Sequence, residues 1–154
     1  MKAPSITGYT YKQLSPLRIF IRDDLVALYS DSAWQDFCQG LFQGTGAEQL
    51  RKQTTYKSIF TLRFPSDGAG TLCVVKKYTS GSFIKTAKEI FRPSKAFHEF
   101  QTAISISGKD IPTPAPLLVA ELMSYGRVSE SLLLTQFIAD ACELKEFLIN
   151  MHQR

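Results

Sequence analysis

The sequence lacks the features that would place it in a membrane or in an oxidising compartment. No apolar run is long enough to span a bilayer, and the opening MKAPSITGYTYKQLSP is polar, with no secretory h-region. Cysteine is scarce: Cys38, Cys73 and Cys142 form an odd, widely spaced set without metal-ligand spacing. That argues against a disulfide scaffold or zinc module and reads as reduced cytosolic thiols. Neither an internal repeat nor a low-complexity tract is present. Charge of one sign is not dominant either. A net charge of +4 permits a polyanionic partner without requiring one. What is there is 154 residues, 44% hydrophobic and 21% charged, the profile of one soluble globular domain with a real core.

Hydrophobic periodicity orders the chain. RIFIRDDLVALY alternates and then runs apolar, so Arg18 to Arg22 is a short strand. Ser32 is placed to cap a helix over AWQDFCQGLF, where Trp34, Phe37, Cys38, Leu41 and Phe42 recur at helical spacing before QGTG breaks it. Three strand-like stretches follow: a weak AEQLRKQ, a well-alternating KSIFTLRF and, after the turn PSDGAG, TLCVVKKY. SFIKTAKEIF is an amphipathic helix by spacing. Pro93 and Ser94 open a second helix through AFHEFQTAISI, with Gly108 as its stop. The prolines of IPTPAP make a stiff extended linker. LLVAELMSYG and SESLLLTQFI are two further strands joined around Gly126, and ACELKEFLI begins a last helix. The order predicts an α+β fold: an antiparallel sheet of about five strands with a helix packed on it. Residues 1–45 are expected to form an extension of one strand and one helix, 46–138 the main lobe, and 139–154 a hinge and the start of another helix.

One stretch bears chemistry. Alternation sets Leu72, Val74, Lys76 and Tyr78 on one face of the TLCVVKKY strand and Cys73, Val75 and Lys77 on the other. Both faces are apolar up to the lysines, so one ammonium must leave a buried strand, which is costly without an anion. Glu99 is the expected partner. It falls at the edge of the helical stripe Ala96, Phe97, Phe100, Ala103 and Ile104, facing the sheet, whereas His98 is expected to point away. The plainer alternative is a solvated strand end and a surface acid, because Lys and Glu are mostly exposed.

The surrounding order resembles the N-terminal lobe of a protein-kinase-like fold, with VVK standing where that family has V-A-I-K. More narrowly, VVKKY, FRPSKAFHEF, IPTPAPLLVAE and SLLLTQFI are similar to the lipopolysaccharide kinases that phosphorylate Kdo or heptose sugars of the inner core. Those enzymes commonly show a lysine-plus-aromatic strand, an R-x-S-[KR]-A segment leading to a helical Glu, a G-x-P-T-P-x-P linker and an S-x-L-L-T-[EQ] strand. The resemblance covers Lys57 to Phe147. It implies that Lys76, rather than Lys77, contacts the α- and β-phosphates of ATP, and that Glu99 holds it. It places a hinge near Thr135, Gln136 and Phe137, whose backbone would meet adenine, with Val74 and Leu134 forming an apolar slot. Mg²⁺ is expected with the nucleotide, on ligands in a second lobe.

The chain also departs from that family. RKQTTYKS has no glycine where a Gly-rich phosphate cover belongs, leaving only the amides of Gln53 to Tyr56 to approach phosphate. After Asn150 no acid-bearing catalytic loop follows, so the chain is expected to bind nucleotide without transferring phosphate. A separate feature is basic: Lys85, Lys88, Arg92 and Lys95 share one side if the helix from Ser82 runs on. Such a face suits an anionic surface such as phospholipid heads or a lipid A precursor, though an ordinary solvated face is the plainer reading. The resemblance implies a cytoplasmic location, peripheral at the inner membrane of a Gram-negative bacterium. The contrasting reading is a non-catalytic kinase-like scaffold at a protein or anionic membrane surface. Nucleic acid is not an expected partner, because most aromatics follow core periodicity.

Overall fold

The computed structural model describes residues 5–65, 69–80, 92–109 and 113–139. Their strands are β1 (Tyr9–Leu14), β2 (Leu17–Arg22), β3 (Gln49–Gln53), β4 (Lys57–Phe64), β5 (Thr71–Thr79), β6 (Pro116–Ser124) and β7 (Arg127–Gln136). A 3₁₀ segment, Asp23–Leu28, leads into helix α1 (Asp31–Gln43), and helix α2 (Lys95–Ser107) lies between β5 and β6. All seven strands join one sheet in the order β1-β2-β6-β7-β5-β4-β3, every neighbouring pair antiparallel. The α+β class is therefore as expected, but the sheet has seven strands rather than about five. The difference lies at the N-terminus, where β1 and β2 form a hairpin that extends the sheet beyond β6. YTYKQL has no aliphatic alternation to announce β1; its tyrosines are only half-buried.

Both faces of the sheet are covered, which is why its central strands read as continuous apolar runs rather than clean alternations. On one face Leu17, Ile19, Ile21, Phe60, Phe64, Val75, Leu132 and Leu134 meet Trp34, Cys38 and Leu41 of α1. On the other, Phe20, Tyr78, Val119 and Leu133 meet Ala96 and Phe100 of α2. Phe100 has no solvent exposure and takes the edge of the Tyr9 ring at 4.7 Å. Burying such a ring contributes roughly 2–3 kcal/mol, enough to fix α2 against the sheet.

The helix ends follow local chemistry. Ser30, not Ser32, caps α1, accepting from the Ala33 amide at 3.3 Å, with Asp31 in the positive first turn. Gly44, at φ 77°, closes it in the left-handed conformation. Ser94 caps α2 by accepting from the Phe97 amide. Gly108 does end α2, but at φ −67°, a right-handed value that asks nothing special of glycine. Residues 92–94 are not helical, so no continuous helix runs from Ser82 to Lys95. Pro93 explains this, since the residue before a proline is driven out of the α region. The expected Ser82 helix with Lys85 and Lys88, and the helix over ACELKEFLI, lie outside the described residues.

Candidate functional site

A cleft of about 570 Å³ opens where α2 lies across the cleft faces of β5 and β7, within the size range of small-ligand sites. Val74 and Lys76 of β5, Leu133 and Thr135 of β7, and Glu99 and Ala103 of α2 form its walls. The register explains the grouping. Val74 is opposite Thr135 and Lys76 opposite Leu133, so alternation along both strands brings the same four side chains to one face.

Lys76 and Glu99 meet there, the Lys76 ammonium 3.1 Å from Glu99 Oε2. The Tyr78 hydroxyl donates to the other oxygen, Oε1, so each carboxylate oxygen has its own donor from β5. Burial alone would raise the Glu99 carboxyl. The Tyr78 hydrogen bond and then the Lys76 charge, with Lys57 adding to it, outweigh burial and hold the carboxyl below its ordinary value. Tyr78 moves the opposite way: burial, reinforced by the Glu99 carboxylate, pushes its phenol well above its ordinary value. At neutral pH Glu99 is therefore a carboxylate and Tyr78 a neutral phenol. Both members of the ion pair remain 36% exposed, so a ligand entering the cleft can reach the ammonium.

Lys77 has a different life. It lies on the α1 face, where its ammonium donates to the Phe42 carbonyl at 2.8 Å and faces Glu130 at 3.5 Å. A cation near the end of α1 complements the negative end of the helix dipole. The choice between the two lysines is thus made by strand alternation. Lys76 serves the cleft and Lys77 the helix.

Of the other expected site residues, Val74, Gln136 and Phe137 line the cleft. Leu134 does not: it is fully buried on the α1 face, and Leu133 takes the position expected of it. One residue of register separates the two, which a three-leucine run cannot reveal. The Gln136 and Phe137 amides are already engaged, donating to the carbonyls of Ala115 and Leu72, so they do not point into the cleft as free donors. His98 is exposed as expected, yet it reaches the cleft rim. Arg92 and Lys95 are exposed at the start of α2.

Three contributors escape sequence reasoning. Tyr78 shares the Lys76 face, but its bond to Glu99 needs the docking angle of α2. Arg51 sits in a register shift between Leu50 and Lys52, and this bulge turns it toward the cleft, with its guanidinium 5.7 Å from the Phe137 ring centre. Lys57 holds its ammonium 5.0 Å from the Tyr78 ring centre.

The β3–β4 turn is closed on itself. The Thr54 amide and hydroxyl both reach the Lys57 carbonyl, and the Lys57 amide donates back to the Thr54 hydroxyl. Two of the amides in that turn are therefore spent on the turn. Among the described residues no group of three or more His, Cys, Asp or Glu gathers to hold a metal. Cys38 and Cys73 are buried, and burial pushes their thiols up to about 12 and about 11, so neither is a nucleophile at neutral pH. No helix among the described residues is long and apolar enough to cross a membrane. Compared with known proteins, the chain matches no family model, no curated protein and no solved structure.

Proposed function

We propose that this chain is the ATP-binding lobe of a kinase-like phosphotransferase whose acceptor is a sugar hydroxyl, Kdo or heptose, of the lipopolysaccharide inner core. The observation that carries the reading is the Lys76–Glu99 pair inside a cleft with one apolar wall. A strand lysine oriented by a helix glutamate presents its remaining N–H groups to phosphate, while Val74 and Leu133 offer a flat apolar surface to a base. Lys76 and Glu99 position and neutralise; neither moves a proton. The described residues assemble no metal site of their own, so Mg²⁺ has no assigned ligand in this reading. The acceptor class rests on the resemblance of FRPSKAFHEF, IPTPAPLLVAE and SLLLTQFI to the lipopolysaccharide kinases. With it come a cytoplasmic location and peripheral contact with the inner membrane.

One observation favours a second reading, a non-catalytic kinase-like scaffold: the turn between β3 and β4 has no glycine and spends two of its amides internally. Thermal denaturation with Mg-ATP separates the two. At a hundredfold excess over Kd, binding adds about 2.7 kcal/mol of stability, a rise of roughly 5–10 °C in Tm for a domain of this size. The expected result is such a rise for the wild type and its loss in Lys76→Met. No rise, or an equal rise in the variant, favours the scaffold.

A further inference from the structure

A nucleotide in this cleft would bring phosphates to a turn that offers few free amides, so the charge that holds them must come from elsewhere. Lys57 opens β4 opposite Tyr78, and Ile59, two residues on, is opposite Lys76. Alternation therefore puts Lys57 on the face that carries Lys76 and Tyr78. Diagonal neighbours on adjacent antiparallel strands lie about 7–8 Å apart, their Cβ atoms somewhat closer, a separation that a phosphate chain bridges.

Among the described residues no carboxylate lies within ion-pair distance of Lys57. Its ammonium rests over the Tyr78 ring, close enough to act on the Glu99 carboxyl. Lys52, opposite Ile59 on β3, and Arg51 from the adjacent bulge add positive charge at the same edge. Among the described residues the cleft sets one carboxylate, Glu99, against these cations.

We propose that Lys57 is a phosphate ligand of the cleft, exchanging its contact with the Tyr78 ring for the oxygens of a nucleotide polyphosphate. Side-chain charge from β4 thereby takes the part that backbone amides play in a glycine-rich turn. The base end of that ligand rests on the nucleotide reading above; the polyphosphate end stands on the lysine pair alone.

The test uses two probes, inorganic tripolyphosphate and Mg-ATP, on the full chain by calorimetry and thermal shift. Wild type is expected to bind tripolyphosphate with an affinity that falls as salt rises. Lys57→Gln weakens both probes about tenfold, the scale of losing one hydrogen bond to a charged group. Lys57→Arg, which keeps the charge, retains binding, and Lys109→Gln, a change at an exposed lysine just past α2, has no effect. Absence of tripolyphosphate binding in the wild type, or equal binding by Lys57→Gln, overturns the assignment. If Lys57→Gln weakens tripolyphosphate but Mg-ATP binds no more tightly than tripolyphosphate, the Lys57 assignment stands and the nucleotide reading falls.

Discussion

Tyr78 decides how firmly Glu99 is held. An acid on a helix and a lysine on a strand make a partly exposed ion pair, and such pairs are individually weak. The phenol changes the balance, because it engages the second carboxylate oxygen and is itself anchored by its buried position in β5. Tyr78→Phe keeps the ring and removes only this donor. The loss is expected to be about 1 kcal/mol, below the roughly 1.5–3 kcal/mol of a buried bond to a charged group, because Glu99 is partly exposed. It also has a pH signature. The folded Glu99 carboxyl lies below its ordinary value, so its contribution to stability is fully present above the unfolded value of about 4.3 and is lost as pH falls through the folded value. Without the Tyr78 bond the folded value moves back up, and the acid limb of the stability curve becomes shallower. Carboxyl NMR titration of Glu99, with melts recorded from acid to neutral pH, would show both effects; an unchanged Glu99 titration would mean that Tyr78 does not position it.

Between elements, the hairpin from β6 to β7 carries an avoidable cost. Ser124 pairs with Arg127, so Tyr125 and Gly126 alone make the turn, and both have positive φ, 49° and 73°. Two such residues define the turn that matches strand twist, and Asn-Gly is its favoured pair. Tyr125 is 93% exposed, so its side chain gives little packing in return for a left-handed backbone. Tyr125→Asn should therefore raise stability by about 0.5–1 kcal/mol, measured as a higher midpoint in urea with an unchanged m-value. A lower midpoint would show that the ring has a contact that offsets the strain. This turn also shows what is legible in a sequence. Gly126 marks the break, and β4 through β7 can be read from alternation and turn chemistry, because those signals are local. Lys76 and Glu99 are legible for a related reason: a charge at the end of an apolar strand demands a partner, and one helix offers it. What sequence could not supply is register. Leu133 rather than Leu134 faces the cleft, and Arg51 enters it, because of one-residue offsets fixed by pairing between distant strands and by a bulge.

Across the whole molecule, the sheet divides the work. The α1 face is closed by a large apolar core, while the α2 face combines a smaller core with the cleft. Strength on one side lets the other keep partly exposed charges without loss of the fold. The same division limits the chemistry. Transfer of a phosphoryl group to a sugar hydroxyl needs a carboxylate free to orient that hydroxyl. Among the described residues Glu99 is the only carboxylate that lines the cleft, and both of its oxygens are engaged, by Lys76 and Tyr78. Its depressed pKa makes it a poor base as well, because efficient proton acceptors titrate near the working pH. On the proposed reading, the chain is expected to bind Mg-ATP without consuming it. Incubation with labelled ATP, Mg²⁺ and a Kdo-terminated core acceptor should give neither labelled acceptor nor ADP above the protein-free blank. Turnover that survives Glu99→Gln would place a base elsewhere in the chain, and turnover that Glu99→Gln abolishes would make Glu99 itself reactive. Either result would overturn the proposal that this chain holds a nucleotide without acting on it.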